Sequence, residues 1–170
     1  ANRYLKRIFY GNLTPHQSGE DLSFRDDWLF EVVFDYDEGH YVTLPVDISN
    51  RHFVRASRER TGDWPVRQDP FSSYRAGFEV RTYRLCHRVL MFHHFPEKLG
   101  IDDCLVHSTE FTYEENPIAS FITRVVQSAY VHLENEEYLK KSLPALDLEY
   151  SRLPDVEKTE EIEIKTIDPE

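Results

Sequence analysis

The sequence predicts a mainly β protein built on a large, strongly bent antiparallel sheet, and three observations carry that reading. After Gly77, the chain runs to Phe95 in Val, Thr, Tyr, Leu, Phe and Cys with no Gly or Pro. That is about three times the usual strand length of about 5–6 residues. Trp28–Tyr36 alternates cleanly, as a strand with two distinct faces does. Ser120–Leu133 is apolar on both parities, so both faces of its sheet are at least partly covered, as in a layered or enclosed sheet. No helical period persists for three turns anywhere.

Taken in order, Arg3–Tyr10 mixes apolar and basic residues in near alternation and reads as a strand that stops in a turn at Gly11-Asn12. Leu13–Asp26, with Pro15 and Gly19, reads as a loop. In Trp28–Tyr36, Trp28, Phe30, Val32, Phe34 and Tyr36 share one face, and Leu29, Glu31, Val33 and Asp35 the other. Asp37-Glu38-Gly39 turns the chain, and Tyr41–Leu44 is expected to return as the second arm of a hairpin. Regular patterning then fades, and residues 45–76 are expected to form one long irregular loop, with a candidate short helix in Asp47–Arg60. Trp64-Pro65 and Asp69-Pro70 mark turns within it, because the residue before proline is pushed out of the α region.

Beyond Gly77–Phe95 and a polar link holding Pro96 and Gly100, Cys104–Tyr113 reads as a strand and Glu114–Pro117 as a turn. Ser120–Leu133 follows as a second long strand. Tyr138–Leu143 is expected to be a connector, and Ala145–Tyr150 a last strand with Leu146, Leu148 and Tyr150 inward. The expected organisation is therefore one β domain over residues 1–154. An acidic tail, 155–170, anchored by Ile162, Ile164 and Ile167, leads to a following segment.

Composition narrows the function classes. A net charge of −11 argues against a nucleic-acid surface, which needs clustered Lys and Arg to displace phosphate counterions. No apolar run approaches the roughly 20 residues that span a bilayer. The opening at Ala1, directly in a strand-like pattern, reads as a piece of something larger. Cys86 and Cys104 read as two small apolar residues, with a bridge between them geometrically feasible only on neighbouring strands.

Candidate sites are sparse. His87 and His93 would share one strand face, with Cys86 and His94 on the other, so they diverge instead of converging on a metal. Ser72, Ser73 and Asp69 lack the strand–turn–helix elbow of a hydrolase nucleophile. Asp69 reads as a turn residue accepting hydrogen bonds from nearby backbone N–H groups. No catalytic residue, metal or cofactor is therefore expected. Arg84 and Arg88 share a strand face, with Arg81 opposite; they read as ion-pair partners of Glu31, Asp35 or Glu110, or as a polar lining. Trp64, Phe71 and Tyr74, with Asp69 and Arg75, form an aromatic-rich loop expected either to plug onto the sheet or to contact a glycan or a protein.

Several blocks, in this order, resemble one known region: YLKRIFYGN, DWLFEVVFDY, DPFSSYRAGFEVRTYRLCHRVLMFHHF, SFITRVVQSAY and YLKKSLPALDLEYS. Together they cover Arg3–Ser151 and are similar to the middle region of the B component of bacterial insecticidal toxin complexes, the Tc toxins. LDLEYS alone is also similar to the strand repeats of Rhs proteins. The resemblance implies a non-enzymatic, secreted, extracellular segment that helps to build a hollow β shell around a toxic cargo. Its implied partners are other segments of the B component, the Rhs-containing C component with its cargo, and indirectly the pore-forming A component. The alternative is an autonomous β-sandwich module that binds glycan or the pore-forming partner through the Trp64 loop.

Overall fold

The computed structural model describes residues 3–22, 25–133 and 137–151. The expected tail, with Ile162, Ile164 and Ile167, lies outside them. Nine strands form one sheet: β1 (Arg7–Asn12), β2 (Trp28–Asp35), β3 (Tyr41–Thr43), β4 (His52–Ala56), β7 (Arg88–His93), β8 (Cys104–Glu114), β9 (Phe121–His132), β10 (Glu137–Ser142) and β11 (Leu146–Asp147). Their order is β1-β2-β7-β8-β9-β10-β4-β3, with β11 extending the β10 side of β9, and every pairing is antiparallel. The sheet curls strongly into a half-barrel. A small second sheet pairs β5 (Phe71–Ser73) with β6 (Val80–Thr82). The one helix among the described residues is α1 (Pro96–Leu99), a single turn opened by Pro96.

The curl buries one face. Val33, Val54, Leu90, Phe92, Leu105 and Tyr138 are fully buried there, joined by Tyr41, Ala56, Cys104 and Tyr130. Each large apolar side chain so placed stabilises the fold by about 1.5–3 kcal/mol. Register explains why these residues meet. Val33 stands opposite Leu90, Phe92 opposite Leu105, and Tyr138 opposite Val54, so cross-strand partners face inward together; on β8 the register shift lets the neighbours Cys104 and Leu105 both reach the core. Irregularities at Met91/Phe92 and Thr112/Tyr113 bend the long strands and tighten the curl.

Polar groups complete this interior. Tyr130 Oη lies 2.7 Å from Ser108 Oγ and 3.1 Å from Tyr41 Oη, while Lys140 reaches Glu110. Burial pushes the Tyr130 phenol up to about 12, so it remains a neutral hydrogen-bonding group.

Several expectations need correction. The first strand begins only at Arg7 and continues through Gly11 and Asn12. Gly11 has φ +68°, and a β-carbon there would come within 2.5 Å of the Phe30 ring, so the position holds glycine without ending the strand. Tyr41–Thr43 pairs with β4, not β2, because β2 is already flanked by β1 and β7. The candidate helix in Asp47–Arg60 is instead β4, and β4 and β5 divide the stretch expected to be one loop.

Gly77–Phe95 is not a single strand. It splits into β6 and β7, which belong to different sheets. The break falls where Tyr83 N–H donates to Tyr4 Oη and Arg84 binds the carbonyls of Trp64 and Pro65, drawing the backbone away from the ladder. The expected connector Tyr138–Leu143 is largely strand β10, and the last strand shrinks to β11, with Leu146, Leu148 and Tyr150 exposed, not inward.

Candidate interaction surface

The strand pattern leaves the second face of the sheet apolar as well. Ile8 stands opposite Val32, Val32 opposite Met91, and Met91 opposite His107. Beside them run Tyr10, Phe30 and His93, and on the far side Val131 and Leu139. These side chains alternate with the core residues and therefore lie on the convex side. They are half-buried or exposed: Ile8 is 41% and Val131 57% accessible. A sheet with two apolar faces and only one of them packed has room for a further layer.

The open side of the half-barrel is held by charges. Glu31, fully buried, lies 3.2 Å from Arg7, 3.1 Å from Arg58 and 3.5 Å from His94, and His94 in turn lies 2.9 Å from Asp103. Arg7 also donates to the Arg58 carbonyl at 2.6 Å, so the first strand is tied to the segment after β4, near the opposite end of the strand order. Burial is the largest influence on Glu31 and raises its carboxyl above the ordinary value, outweighing the neighbouring arginines. A second tie joins Lys6 to the buried pair Glu38 and His40. Sequence parity had placed Glu31 and Asp35 on one face with Val33; that face proves to be the buried one, with both carboxylates fully inside.

The residues singled out from the sequence do not gather into one site. Trp64 stacks on Tyr36, with ring centroids 5.2 Å apart and planes 17° apart, and Lys6 and Arg84 lie 5.4 and 5.8 Å from its ring. Phe71 and Tyr74 sit on the β5–β6 hairpin instead, 50% and 67% exposed. Arg67 covers the Phe71 ring at 5.0 Å. Arg75 is exposed. Arg81 donates to Ser72 Oγ and lies over the Tyr83 ring, and Arg84 caps the Trp64 and Pro65 carbonyls. Arg88 alone of these three meets acids: Asp35 at 2.9 Å and Asp37 at 3.1 Å.

Asp69 binds Arg67 through both carboxylate oxygens at 2.8 Å. It also accepts from the backbone N–H and hydroxyl of Ser120 at 2.7 and 2.6 Å. Its backbone donor is therefore 51 residues away and not in its own turn, which corrects the sequence reading. The Arg67 hydrogen bonds, chiefly, hold its carboxyl well below the usual carboxylate range. A group lowered in this way contributes stability above its unfolded value near about 4, and loses that contribution as pH falls through the folded value. Asp69→Ala should cost about 1.5–3 kcal/mol, the worth of charge-assisted hydrogen bonds, and should release the loop from the start of β9. Urea melts against pH check this: the gap between wild type and variant should narrow on acidification.

Cys86 and Cys104 are unbridged, and burial pushes the Cys86 thiol up to about 11, away from thiolate chemistry. Ser72 Oγ donates to Glu79 and accepts from Arg81, an arrangement without a histidine base. Among the described residues, no three His, Cys, Asp or Glu side chains are grouped to hold a metal ion. No helix among them is long and apolar enough to cross a membrane.

A family model described as SpvB, Salmonella virulence plasmid 65kDa B protein, matches residues 1–95, more than half of the chain. The chain belongs to the SpvB family. It is 41% identical over 137 residues to the mono(ADP-ribosyl)transferase SpvB of Salmonella typhimurium (strain 14028s / SGSC 2262), a match covering 76% of this chain and 21% of that protein. The chain thus spans about a fifth of the curated relatives it matches.

Among solved structures, the N-terminal domain of effector protein SpvB from Salmonella typhimurium strain LT2 superposes with a TM-score of 0.59 at 41% identity, over 75% of this chain and 38% of that one. TcdB2-TccC3-TEV gives 0.69 at 35% identity, over 89% and 7%. The Photorhabdus luminescens Tc holotoxin pore gives 0.67 at 35% identity, over 88% and 7%. The resemblance to a Tc-toxin B-type region therefore holds across nearly the whole described fold.

Proposed function

We propose that this chain is a non-enzymatic structural segment of a secreted toxin complex, one stretch of the β wall that encloses and delivers a toxic cargo. The observation that carries the reading is the two-faced sheet. Its concave face is packed within the chain, whereas its convex face, along Ile8, Val32 and Met91, is apolar and open to a neighbouring layer. That fits a piece of wall better than a free-standing module. The matches to TcdB2-TccC3-TEV and to a Tc holotoxin pore support the same reading, since the chain aligns there as a small part of a much longer one.

On this account residues 1–154 are a domain of a B-type protein and 155–170 lead to its next segment. The partners are the rest of that protein, the Rhs-containing C component with its cargo, and indirectly the pore-forming A component. The transferase activity in the SpvB relative's name is not carried over.

Val32→Glu with Met91→Glu, placed in the longer B-type protein, tests the proposal. The two residues are cross-strand partners on the convex face. The isolated domain should keep its circular dichroism spectrum, while the longer protein should fail to form a complex with its C component on size exclusion. Full assembly by the double variant would sink the reading.

A further inference from the structure

The chain is acidic overall, yet one group of its arginines meets no acid among the described residues. Arg3, Arg60, Arg75, Arg81 and Arg84 form no ion pair among the described residues, whereas Arg7, Arg25, Arg51, Arg55, Arg58, Arg67, Arg88 and Arg124 all do. Arg60 reaches only the Gly62 carbonyl, and Arg84 spends one nitrogen on two carbonyls, leaving its other N–H groups without an acceptor among the described residues.

Arg60 and Arg84 line the same open cleft of about 550 Å³, together with Tyr4, Trp64, Tyr83 and one acid, Asp63. Lys6 is spent nearby on Glu38. The cleft thus presents two guanidinium groups among aromatic rings, a surface suited to carboxylates.

A run of contacts links the end of the described chain to the cleft. Tyr150 packs on Phe121 with centroids 5.0 Å apart; the neighbouring Ser120 is bonded to Asp69, Asp69 to Arg67, and the Arg67 N–H to the Tyr83 carbonyl beside the cleft. From Ser151 the sequence continues into Glu157, Glu160, Glu161 and Glu163, four carboxylates within seven residues. An extended chain covers about 3.3 Å per residue, so ten residues reach about 33 Å.

We propose that the cleft of Arg60, Arg84 and Trp64 is a docking site for carboxylates, and that its occupant is the acidic segment Glu157–Glu163 of the same chain. The contact would neutralise the two cleft arginines, which meet no acid among the described residues. Being exposed and ionic, it weakens with salt.

The test uses the whole chain and the side-chain Nε–H resonances of its arginines. E157Q/E160Q/E161Q/E163Q should move the Arg60 and Arg84 resonances and leave that of Arg124, which is paired with Asp147, in place. Salt at about 1 M, where the screening length falls to about 3 Å, should shift the wild type the same way. A melt recorded alongside should be unchanged, which shows that the fold survives the substitutions. Unmoved Arg60 and Arg84 resonances overturn the proposal. It is equally overturned if they stay put in the quadruple variant but move when poly-glutamate is added, because the cleft then takes a partner's carboxylates and not the chain's own.

Discussion

Phe92→Ala is expected to remove about 3–5 kcal/mol of folding stability, the usual cost of truncating a buried phenylalanine. Phe92 has no accessible surface, sits in the central strand β7, and is flanked in register by Glu31 on β2 and Leu105 on β8. The deletion leaves a void where three strands meet. The bend at Met91/Phe92 restricts how far the backbone can close it. Domains are stable by only about 5–15 kcal/mol, so the variant should unfold at a much lower urea midpoint with a similar slope. A loss below about 1 kcal/mol would mean that the concave face is not closely packed and that the curl is not what holds this core together.

Arg88→Ala is the second large effect, at about 3 kcal/mol. Asp35 is fully buried, and Arg88 is its ion-pair partner at 2.9 Å; the guanidinium also covers the Tyr41 ring at 4.8 Å. Removing one partner of a buried pair costs about 3–5 kcal/mol because the other charge is left without compensation. The lower end applies here, since the Arg88 side chain is 22% exposed and water can partly replace it. A double-mutant cycle with Asp35→Ala separates the pair from the lost packing: the double variant should cost clearly less than the sum of the two singles. Strict additivity would show that Arg88 acts through Asp37 and Tyr41 and not through Asp35.

These two positions also show what could be read from the sequence and what could not. β2, β8 and β9 were legible because each carries its own pattern: period-two alternation in Trp28–Tyr36, and long runs of β-branched and aromatic residues at 104–113 and 120–133. The two faces of β2 were legible but not which of them is the core: it lies on the parity of Val33, where Glu31 and Asp35 are matched by Arg7, Arg58 and Arg88 from elsewhere in the chain. Of these pairs only Arg88 with Asp35 was among those the sequence suggested; the matches of Arg7 and Arg58 to Glu31 leave no local signal.

β4 and β10 were missed for a related reason. HFVRA and EYLKKS look like charged connectors, but Tyr138 and Val54 pair across the two strands to fill the core while the flanking charges turn to solvent or to Glu110. The switch between β6 and β7 is set by Tyr4 and Trp64, far away in sequence, so a continuous apolar run concealed it. The toxin-complex resemblance was legible because the order and content of whole blocks carry it, not individual side chains. The loop aromatics were legible as residues but not as a site: Trp64 went to the sheet, and Phe71 and Tyr74 to the hairpin.

The central claim is that the convex face of the sheet is covered in the assembled protein. Met91, the only methionine, lies half-buried on that face and so provides a single clean probe. The most direct measurement is the rate of Met91 sulfoxide formation by peroxide, read by mass spectrometry, in the isolated chain and in the longer B-type protein bound to its C component. The account predicts ready oxidation in the isolated chain and at least a tenfold slower rate in the assembly, about 1.4 kcal/mol of protection. Equal rates in both would leave the convex face bare in the complex and contradict the assignment of this chain to a toxin-complex wall.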